Sequence, residues 1–158
     1  MRTLILLRHA HAEPASAEQS DIDRALSAEG LAEAEAAGRW LAEQRLTPDR
    51  VLCSPARRTR ETLEAVLQSV GYVEQRLVDG IYEASPGTLA ALADEHADAE
   101  RLMVVGHNPG LERLAALLHS GQSGDYRGMP PGGIVVLHIA ENAGIEPGAA
   151  TLAAFWWP

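Results

Sequence analysis

The chain contains one cysteine, Cys53, and no lysine at all. A single cysteine excludes an intrachain disulfide, so the fold is expected to need no oxidising compartment. Within Val51-Leu52-Cys53 the thiol reads as a small buried hydrophobe and not as a nucleophile. The basic residues number 13 against 22 acidic ones, for a formal charge of −9. With that balance and no basic run, nucleic acid and anionic membrane surfaces are excluded as partners. No apolar stretch approaches the length of a membrane span. The N-terminal apolar run is too short for a secretory signal and ends in Arg-His, so a cytoplasmic protein is expected.

What is present suffices for one real core. The 158 residues, 46% of them hydrophobic, fit a single domain spanning 1–158. Leu4 to Leu7 is a run of branched aliphatics that reads as a strand buried on both faces. It breaks at Arg8-His9-Ala10-His11. Ser27 is placed to cap a helix, with Leu31, Ala34, Ala37, Gly38 and Leu41 on its inward face. Arg50 to Ser54 is a second buried strand, stopped by Pro55. A helix over 56–70, with Leu63, Val66, Leu67 and Val70 inward, ends at Gly71. Residues 72–79 form a more exposed strand, 80–87 a loop and 88–97 a helix. Arg101 to Gly106 repeats the opening pattern, an apolar strand followed by a histidine, His107. A helix over 111–119, a Gly- and Pro-rich loop over 120–133 and two antiparallel strands, 134–139 and 151–157, complete the chain. Alternating strands and helices predict an α/β three-layer sandwich around a mostly parallel sheet.

Three buried strands therefore stop at chemically useful residues: Arg8-His9, Ser54-Pro55-Ala56-Arg57-Arg58 and Gly106-His107. Four arginines fall between Arg50 and Arg60, against the sign of the whole molecule, which points to a focused anion site. If the strands are parallel neighbours, their carboxyl ends share one pocket, the edge at which open α/β sheets bind ligands. A guanidinium fork matches phosphoryl oxygens and keeps its charge. A neutral imidazole is a competent nucleophile toward phosphorus. That constellation suits phosphoryl transfer without a metal or other cofactor, by positioning and charge neutralisation.

Leu-Arg8-His9-Ala-His-Ala, then Ser54-Pro55-x-x-Arg58, then Val-Gly106-His107-Asn-Pro resembles the histidine phosphatase superfamily. The short layout looks most like its SixA-type branch of phosphohistidine phosphatases, with Asp23-Arg24-Ala-Leu26-Ser27 similar to that branch's Arg-Pro-Leu-Thr stretch. The resemblance implies a phosphoglycerate mutase-like fold and phosphorylation of His9 during turnover. Arg8, Arg58 and His107 would hold the phosphoryl oxygens. Arg24 would help to dock the substrate, and Asn108 would shape the turn after His107 or touch the substrate. Arg57 and Arg60 read as surface charges. Ala10 replaces the family's usual Gly, which matters only if the backbone there needs a positive φ. His11 stands where larger members often carry an acid.

Those larger members also protonate the leaving oxygen with a carboxylic acid. Here the candidates are Glu83, the preferred one, and Asp79. An alkoxide needs that proton, whereas an imidazole is a far better leaving group. A weak acid therefore favours phosphohistidine on a protein, of the His-containing phosphotransfer type, as substrate. A small phosphorylated molecule is the alternative, and an inactive phosphoprotein-binding module a more distant one. Metal ligation by His9, His11 and His107 is disfavoured, because convergent arginines repel a cation. His96 and His119 read as helix-end residues, His138 as a half-buried strand residue, and Trp156-Trp157 as edge-strand packing. Nothing demands more than a monomer.

Overall fold

The computed structural model describes residues 2–124 and 128–158. Six strands form one sheet: β1 (Arg2–Arg8), β2 (Arg50–Cys53), β3 (Glu74–Leu77), β4 (Arg101–Gly106), β5 (Ile134–Ile139) and β6 (Ala150–Trp156). Four helices accompany them: α1 (Ala28–Glu43), α2 (Arg57–Val70), α3 (Pro86–Glu95) and α4 (Gly110–Ser120). The strand order is β3-β2-β4-β1-β5-β6. β1, β4, β2 and β3 run parallel, and β5 runs antiparallel to both β1 and β6. The expected mostly parallel α/β sandwich is the observed fold. Part of the loop expected over 120–133 lies outside the described residues.

β1 shows why the layers number three. Its side chains alternate between faces, so Ile5 and Leu7 join the cluster containing Ala37 and Leu41 of α1 and Leu63 and Val66 of α2. Leu4 and Leu6 join the opposite cluster, with Leu89 of α3 and Leu111, Leu114 and Leu118 of α4. A strand apolar at every position has to be covered on both faces. Cys53 is fully buried among these aliphatics, and burial pushes its thiol pKa up to about 12, which keeps it unreactive. Trp156 stacks on Trp40 at 5.4 Å, while Trp157 is 54% exposed and meets Phe155 edge-on.

The structure corrects four local expectations. Leu31 is exposed rather than inward, and Gly30 takes the buried place on α1. The reason is steric: a Cβ on Gly30 would lie 1.9 Å from the His11 carbonyl oxygen, so α1 turns its bare backbone to the chain leaving β1. The edge strand is shorter than expected, Glu74–Leu77, and fully exposed. The third helix starts two residues early, because the Ser85 hydroxyl caps it by accepting from the Thr88 N–H, with Pro86 in the first turn. The arginine cluster is dispersed. Arg50 lies at the start of β2 and forks onto Asp98. Arg57 pairs with Glu61, and Arg60 bonds the Pro55 carbonyl. Arg58 alone of the four turns into the fold, 5% exposed.

Gly30→Ala tests the contact beneath the first loop. Helix propensity by itself favours Ala by about 1 kcal/mol, but a backbone clash of this kind costs about 1–3 kcal/mol. Urea unfolding is expected to show a net loss of stability; a stabilised variant would mean that the loop after His9 is free to move off α1.

Candidate active site

The site lies where the winding of the sheet reverses. β1 and β4 are hydrogen-bonded neighbours, with Arg8 opposite Gly106. The helix after β1 packs on one face of the sheet and the helix after β4 on the other. A crevice opens at such a switch point. His9 and His107 are the first residues past the two strands, and the His9 N–H donates to the Gly106 carbonyl at 3.0 Å. Their ring centroids are 5.3 Å apart. β2 ends on the other side of β4, where the Ser54 N–H donates to the Val105 carbonyl.

His9 is set up as a neutral imidazole with one free nitrogen. Its Nδ1 lies 2.7 Å from the Ala10 carbonyl oxygen, and only a protonated Nδ1 can bond there, so the lone pair belongs to Nε2. Burial pushes the His9 pKa down to about 4, with the charges of Arg58, Arg8 and Arg24 acting in the same direction. Ala10 is fully buried, and its N–H donates to the Thr62 hydroxyl at 3.0 Å. The described non-glycine residues at positive φ are Arg45 and Glu83, so alanine meets the backbone requirement at position 10.

His107 is held from the opposite side. Its Nε2 is 2.8 Å from the Ser54 hydroxyl, which also accepts from the Ala56 N–H. That hydroxyl keeps a second lone pair and its own proton, so it can accept from Nε2 or donate to it, and the other ring nitrogen, Nδ1, takes the opposite role. Arg58 Nη2 lies 3.5 Å from that Nδ1. Burial, followed by His9 and Arg58, lowers the His107 pKa to about 3.

The two inward arginines are tethered differently. Arg8 Nη1 donates to the Met129 carbonyl at 2.7 Å, and its buried Nε meets no acceptor among the described residues. Arg58 donates to Asp21 twice, to the backbone carbonyl at 2.7 Å and to Oδ2 at 3.0 Å. Asp21 also receives the Tyr82 hydroxyl and Arg24 Nε. Its pKa falls to about 2, through the Tyr82 bond first and the Arg58 and Arg24 contacts as well. Arg24 is locked further by the Glu13 carbonyl.

Every expected site residue except Asp79 lines one cleft of about 650 Å³: Arg8, His9, Arg24, Arg58, Glu83, His107 and Asn108. Asp79 is exposed in a short 3₁₀ turn outside that lining. Glu83 is exposed at the rim, in the left-handed region at φ 59°. Asn108 acts as a brace: its amide donates to Glu112 Oε2 and to the Met129 carbonyl, and its oxygen accepts from the Glu112 N–H. His11 reaches the rim but bonds Ser27, the N-cap of α1. Sequence reasoning missed Asp21, Tyr82 and the Ser54 hydroxyl as parts of the site. Asp21 lies in the same stretch as Arg24, but nothing in the chain indicates its partners 37 and 61 residues away.

Chemically, the cleft offers one nucleophilic nitrogen facing two guanidinium groups and a second imidazole. The histidines are expected to stay neutral well below the ordinary value of 6.5. Nitrogen NMR of the histidine rings should show His9 as the Nδ1–H form, titrating near 4; a midpoint near 6.5 would contradict the site as described. Acid stability follows the same sign. Between about 6.5 and 4 the unfolded chain binds these protons and the native state does not, so stability falls as pH falls. Asp21, lowered from 3.8 to about 2, loses its stabilising contribution further down, as pH drops through that range. Urea midpoints should decline monotonically from neutrality to about pH 4, with a shallower slope in His107→Asn.

Comparison with known proteins bears on the chemistry. The family model of the histidine phosphatase superfamily, branch 1, matches residues 4–104. An uncharacterised protein of Mycobacterium tuberculosis is 36% identical over 150 residues, covering 88% of this chain and 92% of that protein. A structure from Agrobacterium tumefaciens, of a candidate phosphohistidine phosphatase SixA, superposes with a TM-score of 0.84. It is 31% identical and covers 99% of this chain and 98% of that one. The fold alone is shared with a candidate α-ribazole-5′-P phosphatase from Escherichia coli, at a TM-score of 0.76 and 16% identity, covering 98% of this chain and 96% of that one. The strand-end histidines and arginines thus sit in a fold already used for phosphate removal, and the chain belongs to the histidine phosphatase superfamily, as a phosphatase of its first branch.

Proposed function

We propose that this phosphatase removes phosphate from a phosphorylated histidine on a protein, through a covalent phosphohistidine at His9. The observation that carries the reading is the His9 Nδ1–H bond to the Ala10 carbonyl, which leaves Nε2 unprotonated among Arg8, Arg58 and His107. In the first step the Nε2 lone pair forms a bond to phosphorus. The substrate P–N bond breaks, and its electron pair returns to the substrate ring. Arg8, Arg58 and His107 hold the three phosphoryl oxygens, placing fixed donors where charge is spread in the transition state. The second step is attack by water on phospho-His9. The P–N bond breaks, dihydrogen phosphate leaves with both water protons, and His9 returns to its neutral Nδ1–H form. Arg24 and the open rim dock the substrate.

Imidazole-to-imidazole transfer exchanges like for like, so the first step asks for little proton donation. The wide cleft also suits a side chain presented by a protein surface. A small-molecule phosphomonoesterase is the second reading, and Glu83 favours it. That carboxyl group lines the same cleft and would serve as the acid that an ester leaving group requires.

Labelling with a phosphohistidine-containing phosphotransfer domain should give an acid-labile, alkali-stable adduct. Both the adduct and turnover should be lost in His9→Ala, by a factor of about 10³ or more. Arg58→Ala should lower kcat/KM by about 10²–10³. A seryl or cysteinyl label would sink the mechanism. Comparable kcat/KM on phosphohistidine and on simple alkyl phosphates would transfer the assignment to the esterase reading.

A further inference from the structure

Asp21 stands at the mouth of the cleft with its side chain 50% exposed. Three donors hold it: Arg24 on Oδ1, and Arg58 and Tyr82 on Oδ2. A carboxylate offers about four acceptor sites, so one on Oδ1 remains for a group in the cleft. The three donors come from separate parts of the chain, which fixes the orientation of the carboxylate. Its role is unlike that of the arginines. An anion beside the phosphoryl position repels phosphate, and one held ionised to about pH 2 has no proton to give a leaving oxygen. It suits a leaving group that carries its own N–H and positive charge.

We infer that Asp21 accepts a hydrogen bond from the unphosphorylated ring nitrogen of the substrate histidine, holds that ring as the imidazolium, and so selects phosphoramidates against phosphate esters. This rests on the phosphohistidine reading above. With that nitrogen protonated, the ring departs neutral. His9 Nε2 gains the phosphorus bond, the pair of the broken P–N bond returns to the substrate nitrogen, and the N–H stays on Asp21. No proton changes hands. Without that proton the ring would have to leave as imidazolate, a far poorer leaving group. An ester would instead develop alkoxide charge toward a carboxylate that cannot protonate it. Asp21 is thus a specificity-determining residue as well as the tether of Arg58.

The test compares kcat/KM for a phosphohistidine peptide and for p-nitrophenyl phosphate across about pH 6 to 9, which spans the ordinary histidine range. Wild type and Asp21→Asn are measured side by side. In the variant, phosphohistidine turnover is expected to fall about 10- to 100-fold, and its alkaline limb to move down by about one pH unit. Turnover of p-nitrophenyl phosphate shares only the loss that comes from the Arg58 tether, so it should fall clearly less than phosphohistidine turnover, and its pH profile should not move. Equal losses on both substrates with an unmoved limb would overturn the inference, leaving Asp21 as a tether only. Wild type inactive on phosphohistidine would overturn the function reading itself. Should the variant fail to fold, the wild-type enzyme decides alone. An N-phosphoryl-N′-methylimidazolium has the same ring charge but no N–H. Its kcat/KM should be at least about tenfold below that of N-phosphorylimidazole and should lack the alkaline limb; equal efficiency rejects the proposal.

Discussion

The parallel pairing of β1 with β4 is the constraint on which the remaining geometry depends. Its register sets Arg8 against Gly106, so the next residue on each strand, His9 and His107, emerges on the same edge with rings 5.3 Å apart. Residues 98 positions apart meet only through this ladder. The ladder is stable because both strands are apolar on both faces and are covered by two helix layers. The same covering makes the site dry on its inner side, and the dryness sets its chemistry. Burial leads the causes that keep both imidazoles neutral, and neutrality is what a nitrogen nucleophile requires.

Around that pair, each charged group is held by its own supports. Arg8 hangs from the Met129 carbonyl, which Asn108 also grips. The brace continues to Glu112, which bonds the Met129 N–H. Arg58 is held from the other side by Asp21, whose carboxylate also gathers Arg24 and Tyr82. These supports fix the guanidinium groups before a phosphoryl group arrives, so little reorganisation accompanies the reaction. They also place one permanent anion at the mouth of a cationic pocket. That asymmetry, cations inside the cleft and an anion at its mouth, is the feature on which the proposed preference for N-linked phosphate rests.

The outline of the fold and the heart of the site were readable in the chain itself. Apolar runs at Leu4–Leu7, Val51–Cys53 and Leu102–Val105 announce doubly covered strands, since such runs have no solvent face. Their polar endings bring Arg8, His9, the pair Arg57-Arg58 and His107 toward one edge, because a buried strand delivers the residues that follow it there. The choice of Arg58 over Arg57 comes from the resemblance of Ser54-Pro55-x-x-Arg58 to the family's motif, and on α2, where successive residues lie about 100° apart, Arg58 is the one that turns inward. Helix ends were legible where a side chain caps its own backbone, as Ser27 does.

Tertiary structure alone decided what depends on distant neighbours. Leu31 carries the apolar signal on α1, yet Gly30 is buried there, because the His11 carbonyl occupies the space a side chain would need. The four arginines near β2 look like one cluster along the chain but disperse to an opposite edge, a helix surface and the cleft. Asp21 looks like one more loop acid, and its meeting with Arg58 and Tyr82 follows from where α2 and the chain after β3 happen to pass. Periodicity and strand endings act over a few residues and are written in the sequence. The tautomers, the depressed imidazoles and the fixed carboxylate come from burial and long-range hydrogen bonds, which exist only once the sheet has brought its edges together.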